Sequence, residues 1–190
     1  MNRQLLIVVT FLLVFLLLSG CSANGSLMKK TTYASEGIEL REYINSGEYV
    51  YTPANYALTN TVEIEEDVDA TRINYEIYLS DPAVEMKDVI MSFHLNEKMM
   101  NYLYASHVHT SNVLNEYTFD IIPNGEPKGA YLSRSFVLAE DSIDRYLLSV
   151  YQDIYIKITY TLNGKRMEEF YRMEAAPTKE TMQYIDKFMQ

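Results

Sequence analysis

The chain has 190 residues with 16 lysines and arginines against 26 aspartates and glutamates, so its formal net charge is −10. This acidic balance argues against nucleic acid as a partner, because binding to phosphates needs many lysine and arginine side chains. It also argues against adhesion to anionic lipid by charge.

The N-terminus has the order of segments found in a signal peptide. Arg3 precedes residues 5–18, which are all apolar except Thr10. This run is too short to span a bilayer comfortably, since a spanning helix needs about 20 residues. Its length is typical of the apolar region of a signal peptide. Polar residues follow from Ser19 onward, so the run does not continue into a longer apolar helix.

The four residues Leu18-Ser19-Gly20-Cys21 end this segment. Here the chain resembles bacterial lipoproteins, whose lipobox these residues match at all four positions. The resemblance covers residues 1–21 only. It implies cleavage between Gly20 and Cys21 and a thioether-linked diacylglyceryl group on Cys21, with fatty chains such as palmitate. Because two acyl chains give stable anchoring, we expect a lipid-anchored protein on the extracytoplasmic face of a bacterial cell membrane.

The mature chain would then hold 170 residues, a size typical of one domain. It keeps 15 basic and all 26 acidic residues, for a formal charge of −11. With Cys21 acylated it contains no thiol, so disulfides, thiolate catalysis and cysteine-bound metals are excluded. The 17 tyrosines favour strands, where a ring can be half-buried while its hydroxyl stays solvated.

Four segments are predicted along the chain. Residues 1–20 are the signal peptide, and residues 21–35 form a small, polar, lipidated tether. Residues 36–176 form a β-sandwich domain, whose first part, up to residue 60, fits either a short strand or a helical turn. Residues 177–190 form a C-terminal helix with an apolar face.

Alternation of apolar and polar residues predicts the strands of this domain. In residues 72–80 the apolar side chains share one face, as expected for a half-buried strand. Two caps predict short helices, Asn96 for residues 97–105 and Ser142 for a turn through Leu148. Strands are predicted at residues 61–65, 72–80, 89–95, 117–121, 131–138, 154–162 and 165–173.

The last two strands are joined by Asn163-Gly164. This dipeptide suits the positive φ angles of a two-residue type I′ turn, so it predicts a β-hairpin.

The pattern as a whole predicts a mainly β fold. About seven short strands with polar turns favour an antiparallel, immunoglobulin-like β-sandwich with short helical turns and a C-terminal helix. The Cys…Trp…Cys signature of immunoglobulin domains is absent. The alternative is an α+β antiparallel sheet covered by the C-terminal helix. A parallel α/β sheet is not favoured, because long amphipathic helices between the strands are missing.

The histidines are the candidate metal ligands. In an extended segment His107-Val108-His109 would place both imidazoles on one side, and His94 could complete a three-histidine site. The alternative is a pair of solvated loop histidines, since no carboxylate stands at a recognisable ligand spacing.

The densest acidic run also has two interpretations. It contains Glu63, Glu65, Glu66, Asp67 and Asp69. We expect a charged hairpin tip or sheet edge that protects against aggregation. A calcium loop is the alternative, although the glycine of the EF-hand loop is missing.

No motif predicts catalysis. The chain has no Gly-x-Ser-x-Gly, no glycine-rich phosphate loop and no His-Glu-x-x-His. We therefore expect no enzyme activity, no catalytic residue and no cofactor. Some tyrosines could form an exposed patch for a protein or a glycan, although core packing is the alternative for each. The candidates are Tyr75, Tyr78, Tyr131, Tyr155 and Tyr171.

The expected function is therefore a non-catalytic binding or scaffolding module in the bacterial envelope. Its expected partners are the membrane, through the lipid on Cys21, and another envelope protein. The alternative is a lipoprotein that binds a small solute or a metal ion. A pocket that joins the histidines would favour this alternative, whereas a flat, exposed aromatic face would favour the module.

Overall fold

The structure is a computed structural model that describes residues 31–50, 52–115 and 118–189. These residues form a mainly β fold with two sheets and two α-helices. The helices are α1 (Tyr33–Ser46) and α2 (Lys179–Met189). The strands are β1 (Ala57–Glu66), β2 (Thr71–Ser80), β3 (Met86–Leu95), β4 (His109–Ser111), β5 (Phe119–Ile121), β6 (Gly129–Val137), β7 (Asp153–Leu162), β8 (Lys165–Glu174) and β9 (Ala176–Pro177).

The first sheet has the strand order β6-β2-β1-β9. Its three long strands pair antiparallel, and only the short β9 runs parallel to β1. The second sheet has the order β4-β3-β7-β8, and β5 pairs with β3 beyond a shift in register. Its pairs are all antiparallel.

The two sheets pack face to face around one hydrophobic core. The alternating apolar residues of β2 point into this core, as the sequence pattern predicted. Tyr75 is also in the core, where its ring centroid lies 6.4 Å from that of Phe93 in the other sheet. Its hydroxyl donates to the backbone oxygen of Tyr151 at 2.7 Å, which satisfies the buried polar group.

The predicted Asn163-Gly164 hairpin is confirmed, and the predicted acidic hairpin tip is confirmed in part. Asn163 and Gly164 have φ angles of 51° and 77°, which are the positive values that a type I′ turn requires. The acidic run ends in the turn between β1 and β2, where the Asp67 N–H donates to the Ala70 oxygen at 3.3 Å. Asp67 and Asp69 thus form the hairpin tip, whereas Glu63, Glu65 and Glu66 lie on β1.

The first helix was not predicted. Thr32 caps α1, because its hydroxyl accepts from the Ser35 N–H at 3.1 Å and its own N–H donates to the Ser35 hydroxyl at 2.9 Å. Gly47 ends the helix with φ 71°. The helix therefore begins inside the segment that was predicted as tether, and it resolves the ambiguity of residues 36–46.

Helix α1 lies on the face of the second sheet that points away from the core. It contacts β3, β4 and β7. For this reason Tyr155, Lys157 and Thr159 of β7 are buried, although they alternate with the apolar residues that face the core. Strand β7 is thus covered on both faces.

The predicted C-terminal helix is confirmed over Lys179–Met189. It protects the edge of β1 beyond the short β9. The Thr181 hydroxyl accepts from the Ile64 N–H at 2.8 Å and donates to the Val62 oxygen at 3.1 Å, so it satisfies backbone groups of this strand. Neither described helix is long and apolar enough to cross a membrane.

The two short internal helices were predicted with the wrong extent. The Asn96 cap is confirmed, since its side chain accepts from the Lys98 N–H at 3.1 Å, but only a 3₁₀ turn over Glu97–Asn101 follows. Ser142 caps no helix: it ends the 3₁₀ turn Glu140–Ser142, and a second turn covers Leu147–Ser149. Backbone groups near both segments pair with each other instead, as in the bond from the Ala139 N–H to the Tyr102 oxygen at 2.8 Å.

Candidate functional site

The three predicted metal ligands do come together. His94 on β3 pairs in register with His109 on β4, and His107 precedes β4. The ring centroid of His109 lies 6.5 Å from that of His94 and 5.3 Å from that of His107. The expected loop is thus partly a strand at the edge of the second sheet.

At least one ring nitrogen of each histidine lies within hydrogen-bonding distance of another group of the protein. The Tyr33 hydroxyl donates to the His109 backbone oxygen at 2.7 Å and lies 3.1 Å from Nε2 of His107. Nε2 of His109 lies 3.3 Å from the backbone oxygen of Tyr33, and Nδ1 of His94 lies 2.5 Å from the backbone oxygen of Leu95. The three contacts of Tyr33 tie the first turn of α1 to the edge of the sheet.

The environment of the cluster favours neutral imidazoles. Burial lowers the pKa of His109 to about 4, and the neighbouring His107, His94 and Arg134 add to this effect. Burial likewise lowers the pKa values of His94 and His107. Arg134 also donates to the His109 backbone oxygen, so it places a cation beside the rings.

Gly37 shows how closely α1 approaches this cluster. A Cβ atom at this position would lie 2.8 Å from Nε2 of His109 and 2.9 Å from Cε1. These contacts are too short for a real Cβ atom, so a larger residue would require the His109 ring or the helix to shift. The cluster therefore supports α1. In the part of the chain that the structure describes, no three or more histidine, aspartate or glutamate side chains are arranged to hold a metal ion.

A buried ion pair also holds α1 on the second sheet. Nζ of Lys157 lies 2.9 Å from Oε1 of Glu36, and both side chains are 1% exposed. Glu39 gives the same lysine a second carboxylate. Burial lowers the pKa of Lys157, but the two carboxylates outweigh it and the net shift is upward. The Ser92 hydroxyl donates to Oε2 of Glu36 at 2.7 Å, so both oxygens of this carboxylate are satisfied.

Most of the tyrosines considered for a surface patch are buried. Tyr171 is 2% exposed and donates to Glu169 at 2.6 Å, beside Tyr56 and Tyr160, which bond the same carboxylate at 2.5 Å and 3.0 Å. Burial raises the pKa values of Tyr56 and Tyr171 well above the usual range. Tyr155 lies under α1. These rings stabilise the fold and present no surface.

Tyr78 and Tyr131 are the exposed members of the predicted set. They lie opposite each other on β2 and β6, with 38% and 67% of their surfaces exposed. Their ring centroids are 6.4 Å apart in a stacked arrangement. Both point away from the core, because neighbouring residues Ile77 and Leu132 point inward.

This pair belongs to a face of the first sheet that we call the outer face. Its strands are in continuous register, with ten opposed pairs between β1 and β2 and nine between β2 and β6. Helix α1 lies on the other sheet, and α2 contacts β1 and β9 at one edge of this sheet. The outer face consists of Thr59, Thr61, Glu63, Glu65, Arg72, Asn74, Glu76, Tyr78, Tyr131, Ser133 and Ser135.

The composition of the outer face suits recognition of a macromolecule. Tyrosine provides a large, rigid contact area with a polar tip, and serine, threonine and asparagine provide adaptable hydrogen bonds. The long, unbroken register makes the surface broad. The arrangement therefore offers both ring surfaces and hydrogen-bonding groups to a partner.

Among the described residues, one open cleft adjoins the outer face at Glu63 and Glu65, and another lies at a distance from it along the chain. One, of about 650 Å³, lies between the acidic end of β1 and α2, and the other, of about 620 Å³, lies beside the β7–β8 turn. Neither is lined by a histidine. Neither cleft is therefore the histidine-lined pocket that would favour a solute-binding or metal-binding protein.

The predicted lipidation and cleavage residues, Cys21 and Gly20, lie outside the described residues. Lipidation therefore stays a prediction from the lipobox. No protein-family model, no curated protein sequence and no solved structure shows a significant match to this chain.

Proposed function

We propose that this protein is a lipid-anchored, extracytoplasmic lipoprotein of the bacterial envelope, whose β domain is a non-catalytic module that binds another envelope protein. The anchor is supported by the apolar run and the lipobox that ends at Cys21. The binding role is supported by one observation above all, which is the broad outer face with its exposed Tyr78–Tyr131 pair.

The asymmetry of the domain supports this assignment. On the second sheet, α1 covers Tyr155 and Lys157 of β7, and the Lys157 side chain is paired internally with Glu36. The opposite surface keeps Tyr78, Tyr131 and Ser133 exposed. Large exposed aromatic side chains on a solvated sheet are typical of a contact surface.

We further propose that the scaffold is an immunoglobulin-like sandwich. Two mainly antiparallel sheets that share one core support this class. In such a scaffold the sheet faces and the loops are available for binding, while the core supplies rigidity.

The binding role can be tested with a photo-crosslinking amino acid at Ser133, which lies on the outer face beside Tyr131. The full-length protein is irradiated in intact cells. We expect a specific crosslinked protein from this position. The matched control is Asn45, an exposed residue of α1 on the opposite side of the domain. No crosslink from Ser133, or the same products from Asn45, would refute the proposed binding face.

The anchor is tested separately by Cys21→Ala. Because acylation needs the cysteine sulfur, we expect the variant to leave the membrane fraction or to retain its signal peptide. Membrane fractionation and the mass of the purified protein measure this. A variant that fractionates and migrates like the wild type would contradict the lipoprotein assignment.

A further inference from the structure

The outer face has an excess of negative charge that the domain itself does not neutralise. It contains the carboxylates of Glu63, Glu65 and Glu76 and one guanidinium, that of Arg72. None of the ion pairs found among the described residues includes these three glutamates. Arg72 lies opposite Glu65 in the register, so a ligand with positive charges would find its carboxylates chiefly in Glu63 and Glu76, which form no ion pair among the described residues.

The carboxylates are also crowded. Partial burial, followed by the charges of Glu65, Glu180 and Glu76, raises the pKa of Glu63. Like charges at such distances repel each other, and a cation between them would relieve the repulsion. The crowding therefore favours occupation by positive groups.

The tyrosine pair adjoins one of these carboxylates. The Tyr78 hydroxyl donates to Oε2 of Glu76, two residues away on β2. A guanidinium above the Tyr78 or Tyr131 ring could stack on the aromatic face and reach this carboxylate. Arginine is the side chain that combines planar stacking with bonding to carboxylates.

The register of the sheet sets the spacing of the acidic groups. Glu63 lies opposite Asn74, and Glu76 lies two residues further along β2. Diagonal neighbours of this kind are about 7–8 Å apart. Side chains on one side of an extended peptide repeat at about 6.8 Å, because each residue advances about 3.4 Å. Alternate residues of an extended segment therefore match the two carboxylates.

We infer that the outer face binds an extended, basic segment of a protein partner. Arginine or lysine side chains at alternate positions pair with Glu63 and Glu76, and an arginine stacks on Tyr78 and Tyr131. This inference rests on the proposed function and specifies its partner. An anionic lipid surface does not suit the face, because it would be repelled by the same carboxylates.

The test uses the full-length protein with the crosslinker at Ser133 and the double variant Glu63→Gln/Glu76→Gln. The control variant, Glu126→Gln/Glu168→Gln, removes the same charge from two exposed glutamates outside the outer face. We expect the crosslink yield to fall about tenfold in the first variant, the upper range for two exposed ion pairs, and to stay unchanged in the second. Thermal unfolding of both variants verifies that they are folded.

A synthetic ten-residue peptide of alternating arginine and threonine provides a direct probe. We expect it to bind the wild-type protein and to bind the Glu63→Gln/Glu76→Gln variant about tenfold more weakly, with a matching loss when citrulline replaces arginine. Fluorescence anisotropy at fixed ionic strength measures the dissociation constants.

The outcomes separate the inference from the proposed function. A crosslink at Ser133 that survives the loss of both Glu63 and Glu76 charges leaves a binding module but overturns the basic partner. Equal losses in the test and control variants also overturn it, because net charge would then explain the effect. A crosslinked glycan in place of a protein would do the same. Absence of any wild-type crosslink defeats the proposed function itself.

Discussion

The buried Lys157–Glu36 pair gives the sharpest prediction about stability. Lys157→Met keeps the aliphatic stem of the side chain and removes the charge. The carboxylate of Glu36 would then stay 1% exposed under α1 with the Ser92 hydroxyl but without its nearest cation. Exposing this carboxylate to water would require α1 to leave the sheet.

The expected cost follows from the burial of both groups. Removing one partner of a buried ion pair destabilises a protein by about 3–5 kcal/mol. In a domain of this size each kcal/mol lowers the melting temperature by about 2–4 °C. We therefore expect Lys157→Met to melt about 10 °C below the wild type.

Thermal and urea unfolding followed by circular dichroism measure this effect. The matched control is Lys187→Met, which removes an exposed lysine paired with Glu66, both groups being more than half exposed. The control should lose less than about 1 kcal/mol. Adding Glu36→Gln to Lys157→Met removes the uncompensated charge and should restore at least half of the lost stability. Equal melting temperatures for the Lys157 and Lys187 variants would refute the reasoning.

Two further predictions concern the histidine cluster and the tyrosine cluster. Because burial places the pKa of His109 at about 4, below the value of 6.5 expected in the unfolded chain, the unfolded state binds more protons between these values. The free energy of unfolding should therefore fall by up to ~3 kcal/mol as pH drops from 6.5 to 4. Urea unfolding at pH 7.5 and 4.5 measures this loss, and the His109→Gln variant should lack the part that His109 causes. Identical pH dependence in the wild type and the variant would contradict the lowered pKa of His109. Glu169→Ala removes the acceptor of three tyrosine hydroxyls and should cost about 3 kcal/mol in the same assay. The exposed neighbour Glu168→Ala should have little effect, and a similar loss in both would show that the tyrosine bonds add nothing.

The long strands were predictable because their signal is local. In β2 and β7 the apolar residues alternate with polar ones over ten residues, and this period identifies a strand without knowledge of its neighbours. Asn163-Gly164 identified its turn in the same way, since the φ angles depend on these two residues alone. Their boundaries agree with the structure within a few residues.

The elements that were missed depend on distant partners. Strand β4 has three residues and no apolar alternation, and it exists because it pairs with β3 and lies under α1. The buried positions of α1 are Glu36, Gly37 and Leu40. A glutamate and a glycine give no hydrophobic period, so only the presence of Lys157 and His109 opposite them explains why these residues are buried.

The histidine cluster, too, was predictable from the sequence only in part. The sequence indicated that His107 and His109 could share a side, and the structure brings His94 to them through strand pairing. Their chemistry, however, is decided by burial and by hydrogen bonds to Tyr33, which the spacing of the histidines does not reveal. The cluster that was considered for metal ions supports a helix.

Residue order alone thus identified the long strands and the type I′ turn, because each depends on neighbours within a few positions, and in the same way it predicts the lipobox segment. Only the tertiary structure decided which surfaces remain accessible. Tyr155 and Tyr78 both lie on strand faces that point away from the core, yet α1 buries the first and leaves the second exposed. Accessibility depends on which distant segment packs above a residue, and this packing creates the difference between the covered sheet and the outer face.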